Sequence, residues 1–116
     1  MTALPMTENE LQQRIIELAK FLRIPYWRDN YSRRNIPGWP DIVLIGSTIV
    51  YAELKSDIGH LRPEQAAFID ALRNAGAEVH VWRPRDWDEI ERRIKRLAFK
   101  GIPARNVTAP ESEEPA

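Results

Sequence analysis

Two apolar runs separated by a short polar segment constrain the fold of this chain more than any other feature. The runs cover residues 41–45 and 49–55, and the segment between them is Gly46-Ser47-Thr48. β-Branched residues dominate both runs, and a Gly-containing segment of this length between such runs is typical of a β-hairpin. Because both faces of the hairpin are largely apolar, we expect it to lie centrally in a sheet.

Patterns on either side of the hairpin predict three helices and two further strands. Thr7 and Glu10 have the spacing of a capping box, so the first helix should begin there and end before Pro25. Gly76 should close a second helix and Asp86 should cap a third. The second helix should start at Pro63. The two further strands are predicted at 24–28 and 78–83. A strand, a helix and a strand in that order imply a parallel crossover, so we predict an α/β fold with a central mixed sheet flanked by helices, plus a C-terminal helix.

The length of the hairpin loop decides which residues meet at the open end of the hairpin. A three-residue loop pairs Asp41 with Glu53, and Lys55 then points to the same face. Opposed carboxylates destabilise a hairpin, and the usual compensation is a divalent cation such as Mg²⁺ or Mn²⁺. A loop of two or four residues would instead place the carboxylates on opposite faces, leaving Glu53 and Lys55 as an ion pair at a strand edge.

The length and composition exclude several classes of protein. A chain of 116 residues fits one domain. The absence of cysteine excludes disulfides, zinc–thiolate sites and thiol nucleophiles, so a metal would be held by oxygen ligands or by His60 and His80. No apolar run is long enough to span a membrane and no signal-like N-terminus is present, so we expect a soluble, cytoplasmic protein.

The charge of the chain is unevenly distributed. Residues 103–116 carry glutamates and prolines without apolar periodicity, so we expect a flexible acidic tail after a single domain over residues 1–102. The net charge is zero, which argues against a protein that coats nucleic acid non-specifically, but the body without the tail is slightly basic. The arginines that cluster before the hairpin are candidate phosphate contacts: Arg28, Arg33 and Arg34. We expect the neighbouring Trp27 to pack in the core rather than to stack on an unpaired base.

Four segments together resemble the VRR-NUC family of the PD-(D/E)XK nuclease superfamily. They are PGWPDIVL at 37–44, AELKS at 52–56, GHLRPEQ at 59–65 and VWRP at 81–84. The resemblance extends from about Glu8 to Trp87, in family order. It implies a restriction-endonuclease-like fold with an αβββαβ core, and metal-dependent hydrolysis of a nucleic-acid phosphodiester.

The resemblance also implies roles for particular residues. Asp41 and Glu53 resemble the metal ligands, and the backbone carbonyl of Leu54 would be a further ligand. Lys55 resembles the lysine that orients or helps deprotonate the attacking water. These roles are chemically reasonable, because a bound cation acidifies water and stabilises the added negative charge on phosphate. One metal or two remains open.

Further site residues follow from the same motifs. Gln65 matches the glutamine on the next helix, and Glu8 resembles the first-helix glutamate, with Glu10 as a competitor. Helical spacing places Glu8 toward the core side and assigns Glu10 to the cap. The candidates for nucleic-acid contact in the loop before the second helix are His60 and Arg62.

The sequence therefore predicts a divalent-metal-dependent endonuclease that acts on DNA. Its small surface and the family resemblance favour recognition of branched, flap or junction DNA over a long specific site, and a homodimer would suit cleavage of two strands. The alternative is a noncatalytic nucleic-acid-binding module or a subunit of a larger nuclease complex. The intact Asp41, Glu53 and Lys55 argue against a module that only binds.

Overall fold

The computed structural model describes residues 6–29 and 37–98 of the chain. Within these ranges the elements are α1 (Glu8–Phe21), β1 (Tyr26–Arg28), β2 (Ile42–Ile45), β3 (Ile49–Leu54), α2 (Pro63–Asn74), β4 (Glu78–Trp82), a 3₁₀ turn (Pro84–Asp86) and α3 (Trp87–Leu97). The order is the one that the sequence predicted. The predictions for Arg33, for Arg34 and for the tail at 103–116 lie outside the described residues.

Helix α1 begins with the predicted capping box. The Thr7 hydroxyl accepts from the Glu10 backbone N–H at 3.1 Å, and Glu10 Oε1 accepts from the Thr7 N–H at 2.8 Å. The helix buries one apolar face, formed by Leu11, Ile15, Ile16 and Ala19. The cap therefore fixes where the helix starts, and the apolar face fixes how it packs.

The four strands form one mixed sheet in the order β1-β2-β3-β4. Strands β2 and β3 are antiparallel and central, with Ile45 opposite Ile49 and Ile42 opposite Ala52. Strand β4 runs parallel to β3 after the crossover through α2. Both the central hairpin with its three-residue loop and the mixed sheet are confirmed.

The two faces of the sheet pack against different helices. One face joins α1 and α3 in a continuous core that includes Ile42, Leu44, Ile90 and Ile94. On the other face Trp39 contacts the rings of Tyr51 and Phe68 edge-on, at centroid distances of 6.0 and 5.6 Å, which joins β3 to α2. The carboxylates of the hairpin belong to this second face, beneath α2.

The structure differs from the prediction in several details. The first strand begins at Tyr26 rather than at Ile24. Trp27 does not pack in the core: its side chain lies on an edge strand, on the face away from α1 and α3, and is 42% exposed. The last strand ends at Trp82 rather than Arg83, because the Arg83 N–H donates to Asp86 Oδ2 at 3.0 Å and turns the chain. Asp86 therefore makes no side-chain cap bond to α3, although it occupies the cap position.

Candidate metal and catalytic site

Asp41 and Glu53 lie opposite each other at the open end of the β2–β3 hairpin. They are the next pair after Ile42 and Ala52 in the register, as the three-residue loop predicts. Asp41 Oδ2 accepts a hydrogen bond from the Leu54 backbone N–H at 2.8 Å, and the two carboxyl groups hydrogen-bond to each other. Glu53 is only 2% exposed. The two carboxyl groups are therefore held together beside a buried surface.

Burial raises the pKa of both carboxyl groups. Removal from water raises the pKa of Glu53 to about 8, and the negative charge of Asp41 adds to the effect. Burial also raises the pKa of Asp41, although the Leu54 N–H partly offsets it. The pair therefore shares a proton near neutral pH. A second negative charge here needs a cation for compensation.

Lys55 and Gln65 complete the cluster around Glu53. Lys55 is 7% exposed, and its Nζ lies 3.9 Å from Glu53 Oε2. Gln65 Nε2 donates to the same oxygen at 2.7 Å, and Gln65 Oε1 accepts from the Arg62 N–H at 2.8 Å. Gln65 thus links the start of α2 to the carboxylate pair instead of lying on an exposed helix face.

The segment before Asp41 is fixed by a glycine that the sequence analysis did not single out. Gly38 has φ +93°, and a β-carbon there would collide with the backbone carbonyl of Glu64 in α2. A side chain is therefore excluded both by backbone conformation and by space. The close approach holds the residues that lead into Asp41 against the first turn of the helix that carries Gln65.

The structure separates Glu8 from its competitor Glu10. Glu10 is engaged in the cap, whereas the negative charge of Glu8 contributes to the raised pKa of both Asp41 and Glu53. Glu8 is exposed rather than turned toward the core, because the first turn of α1 borders an open cleft of about 740 Å³. Loop residues Ser56 and Asp57 lie across that cleft.

The donor set fits a hard cation. Among residues 6–29 and 37–98, no group of three or more His, Cys, Asp or Glu side chains gathers around one point. The carboxylates of Asp41 and Glu53 adjoin the backbone of Leu54, so the ligands that the protein can offer are oxygens. Mg²⁺ and Mn²⁺ bind in this way, through one or two carboxylates, and keep several waters for substrate to replace.

The candidate nucleic-acid contacts that the structure describes are exposed. Arg28 lies on the edge strand β1, opposite Ile42, and His60 lies in the loop after β3. Arg62 is also exposed and pairs with Glu64 at 3.3 Å. These positions permit contact with a ligand but do not bring the three side chains into the carboxylate cluster.

His80 belongs to a separate cluster on the opposite face of the sheet. Its Nε2 lies 2.7 Å from Glu78 Oε2, and its ring stacks on Trp82 at 5.1 Å. The imidazole therefore has its polar partner outside the carboxylate cluster. Glu78 also accepts two hydrogen bonds from Arg93, at 2.6 and 2.8 Å, which lower the pKa of Glu78 to about 2.

Comparisons with known proteins agree on the fold. No family model and no curated protein matches the chain. A solved structure described as a VRR_NUC domain is 23% identical, with a TM-score of 0.61, and the match covers 76% of this chain and 94% of the other. A second, described as a VRR_NUC domain protein, is 19% identical, with a TM-score of 0.64, and covers 85% of this chain and 97% of the other. None of the helices in the described part of the chain is long and apolar enough to cross a membrane. The chain has the fold of VRR-NUC domains, the restriction-endonuclease-like α/β architecture that its motifs predicted.

Proposed function

We propose that this protein is a VRR-NUC nuclease that uses Mg²⁺ or Mn²⁺ to hydrolyse phosphodiester bonds in DNA. The observation that carries the proposal is the convergence of Asp41, Glu53, Lys55 and Gln65 at one end of the central hairpin. Packing does not require such a cluster, because it buries a carboxylate and an ammonium group that each cost free energy to remove from water. The similarity of the fold to VRR-NUC domains supports the same function.

The carboxylates of Asp41 and Glu53, with the carbonyl of Leu54, would hold the cation. The chemistry that the cation supplies when bound is acidification of water and stabilisation of negative charge on the phosphate. The Leu54 N–H orients Asp41 from one side, at 2.8 Å. Gln65 orients Glu53 from the other, at 2.7 Å. These two hydrogen bonds fix both ligands before any substrate arrives.

Lys55 supplies a fixed positive charge beside the ligands. Its stem is buried, and its ammonium lies 3.9 Å from Glu53 Oε2, so it cannot swing freely into solvent. From this position the ammonium group orients the attacking water by hydrogen bonding. It also stabilises the negative charge that develops on the phosphate.

The exposed Trp27 favours DNA with unpaired bases as the substrate. Trp27 lies opposite Val43, which is two residues along β2 from Asp41 on the same face of the sheet. Two residues of a strand span about 7 Å, so Trp27 lies on the face of the sheet that carries the carboxylates, one strand away from Asp41. Only a base freed from a duplex offers a whole ring face to an indole. Branched, flap and junction DNA provide such bases next to a duplex.

Trp27→Ala is expected to weaken binding of a flap substrate by about 5- to 100-fold, because stacking of one base contributes about 1–3 kcal/mol. Binding of a blunt duplex of equal length should change little. Fluorescence anisotropy with Ca²⁺ in place of Mg²⁺ measures both affinities. Trp27→Phe keeps a ring and should retain most of the affinity, and Phe21→Ala removes an exposed ring at the far end of α1 as a control. Equal losses on flap and duplex would contradict base stacking.

The proposed activity is tested with a labelled panel of single-stranded, duplex, flap and four-way-junction DNA. Each substrate is incubated with Mg²⁺, Mn²⁺ or a chelator, beside Glu53→Ala as a control for contaminating nuclease. We expect cleavage that needs metal, is lost in the variant, and is fastest on the branched substrates. Binding without cleavage by the wild-type protein would instead favour a noncatalytic module or a subunit that needs a partner.

A further inference from the structure

The loop that follows Lys55 is held by an arginine from the other side of the crossover. Arg83 Nη1 donates to the carbonyl oxygen of Ser56 at 2.6 Å and to that of Gly59 at 2.7 Å. The Gly59 N–H donates to the Ser56 carbonyl at 3.3 Å, so the loop closes into a turn with both ends on one guanidinium group. Asp57, inside the turn, accepts from the Arg85 N–H at 3.0 Å and from the Arg85 guanidinium at 3.2 Å, so Arg83 is the residue that ties the two ends of the turn together.

The backbone of Arg83 is itself fixed. Its N–H donates to Asp86 Oδ2 at 3.0 Å, and its carbonyl accepts from the Asp86 N–H at 2.8 Å. The residue before it, Trp82, accepts from the Lys55 N–H at 3.0 Å. The arginine therefore starts from a rigid point that is already bonded to the backbone of the candidate catalytic lysine.

The held turn lies beside the side chain of Lys55. A β-carbon built on Gly59 would lie 3.1 Å from Ser56 Oγ and 3.6 Å from Lys55 Cδ, so there is little free space between the turn and the lysine stem. The same loop continues to Arg62, whose N–H donates to Gln65 Oε1. Movement of the turn would displace Lys55 and Gln65, two of the three side chains around Glu53.

We propose that Arg83 is a positioning residue for the cleavage reaction, which acts by holding the Ser56–Gly59 turn against Lys55. The inference rests on the proposed nuclease function and assigns a role to a residue outside the metal and lysine motif. Displacement of a reacting group by about 1 Å can reduce a rate by about 100-fold. Because the guanidinium bonds are directed into the fold, we expect the loss in kcat and not in KM or DNA affinity.

Arg83→Met keeps the apolar stem of the side chain but removes the guanidinium group and both hydrogen bonds. We expect kcat on a flap substrate to fall by about 10- to 100-fold, with KM and the Kd for DNA in Ca²⁺ changed less than about twofold. Arg83→Lys should restore much of kcat, because one ammonium group can donate to both carbonyls. All rates are measured at a temperature at which circular dichroism shows each variant fully folded.

Arg73→Met is the matched control. Arg73 also donates from its guanidinium group to a backbone carbonyl, that of Val79 at 2.9 Å, but this bond joins α2 to β4 and does not touch the turn. We expect Arg73→Met to lower the thermal midpoint without lowering kcat.

Equal kcat values for the wild type and a folded Arg83→Met would overturn the inference alone. A rise in KM or Kd with unchanged kcat would also overturn it, because it would mean that Arg83 binds DNA. Absence of metal-dependent cleavage by the wild type would overturn the proposed function and the positioning role together.

Discussion

Lys55→Met is expected to reduce the rate of DNA cleavage by about 100- to 10,000-fold, the range typical of a group that transfers or orients a proton. Methionine retains most of the buried stem, so its packing in the protein interior persists. The substitution removes only the charge beside Glu53, which lies 3.9 Å away. The variant should therefore fold and bind DNA but cleave very slowly.

Single-turnover cleavage of a flap substrate at saturating Mg²⁺ measures this loss without interference from product release. Lys95→Met is the control, because Lys95 is an exposed lysine that pairs with Glu91 on the surface of α3 at 3.4 Å. It should cleave at the wild-type rate. If folded Lys55→Met cleaves within about threefold of the wild type, Lys55 has no part in the cleavage reaction.

Glu53→Gln is expected to have opposite effects on activity and on stability. The amide cannot replace a negatively charged metal ligand, so cleavage should fall to the level seen in a chelator. The amide oxygen can still accept from Gln65, and the substitution removes a buried group whose pKa is raised to about 8. In the absence of metal, the variant should therefore be more stable than the wild type at alkaline pH.

The sign of this effect follows from the two pKa values of Glu53. The group has an ordinary value of 4.5, which applies to the unfolded chain, and about 8 in the folded protein. The contribution of Glu53 to the free energy of unfolding is fully present below pH 4.5 and is lost as the pH rises toward 8. In urea unfolding followed by circular dichroism in a chelator, the stability difference between variant and wild type should grow over this interval and then level off.

Glu78→Gln is the matched control and should show the opposite sign. Hydrogen bonds from Arg93 lower the pKa of Glu78 from 4.5 to about 2, so this carboxylate stabilises the fold above pH 4.5 and loses that contribution as pH falls toward 2. The variant should be less stable than the wild type at neutral pH and should cleave normally. If both substitutions shift stability in the same direction at pH 9, burial does not raise the pKa of Glu53 as proposed.

Much of the candidate site could be predicted because side chains alternate strictly between the two faces of a strand. Once the three residues between Ile45 and Ile49 form the hairpin loop, the register places Asp41 opposite Glu53 without any knowledge of tertiary contacts. The capping box likewise left Glu8, and not Glu10, available to the site. These features depend on neighbours within a few residues, where local rules are reliable.

The features that sequence reasoning missed depend on contacts between distant segments. Trp27 is a large aromatic residue of the kind usually found in a core, and it is exposed because β1 lies at the edge of the sheet. The hydrogen bonds of Arg83 span 24 and 27 residues along the chain. The need for glycine at position 38 comes from the close approach of the α2 backbone. The sequence hinted at a constrained segment there, because Gly38 lies between two prolines just before Asp41. The VRR-NUC-like segment at 81–84 contained Arg83, but nothing local assigned it a partner.

In the proposed mechanism, the Asp41–Glu53 pair would hold the cation that cleavage requires. The most direct test is the single-turnover rate of flap cleavage as a function of Mg²⁺ concentration, for the wild type and for Asp41→Asn. Asparagine preserves the acceptor for the Leu54 N–H but removes the charge. We predict that the half-maximal Mg²⁺ concentration rises by about tenfold or more, the scale on which loss of a ligand contact weakens metal binding. An unchanged half-maximal concentration, with normal cleavage, would contradict the assignment of Asp41 as a metal ligand.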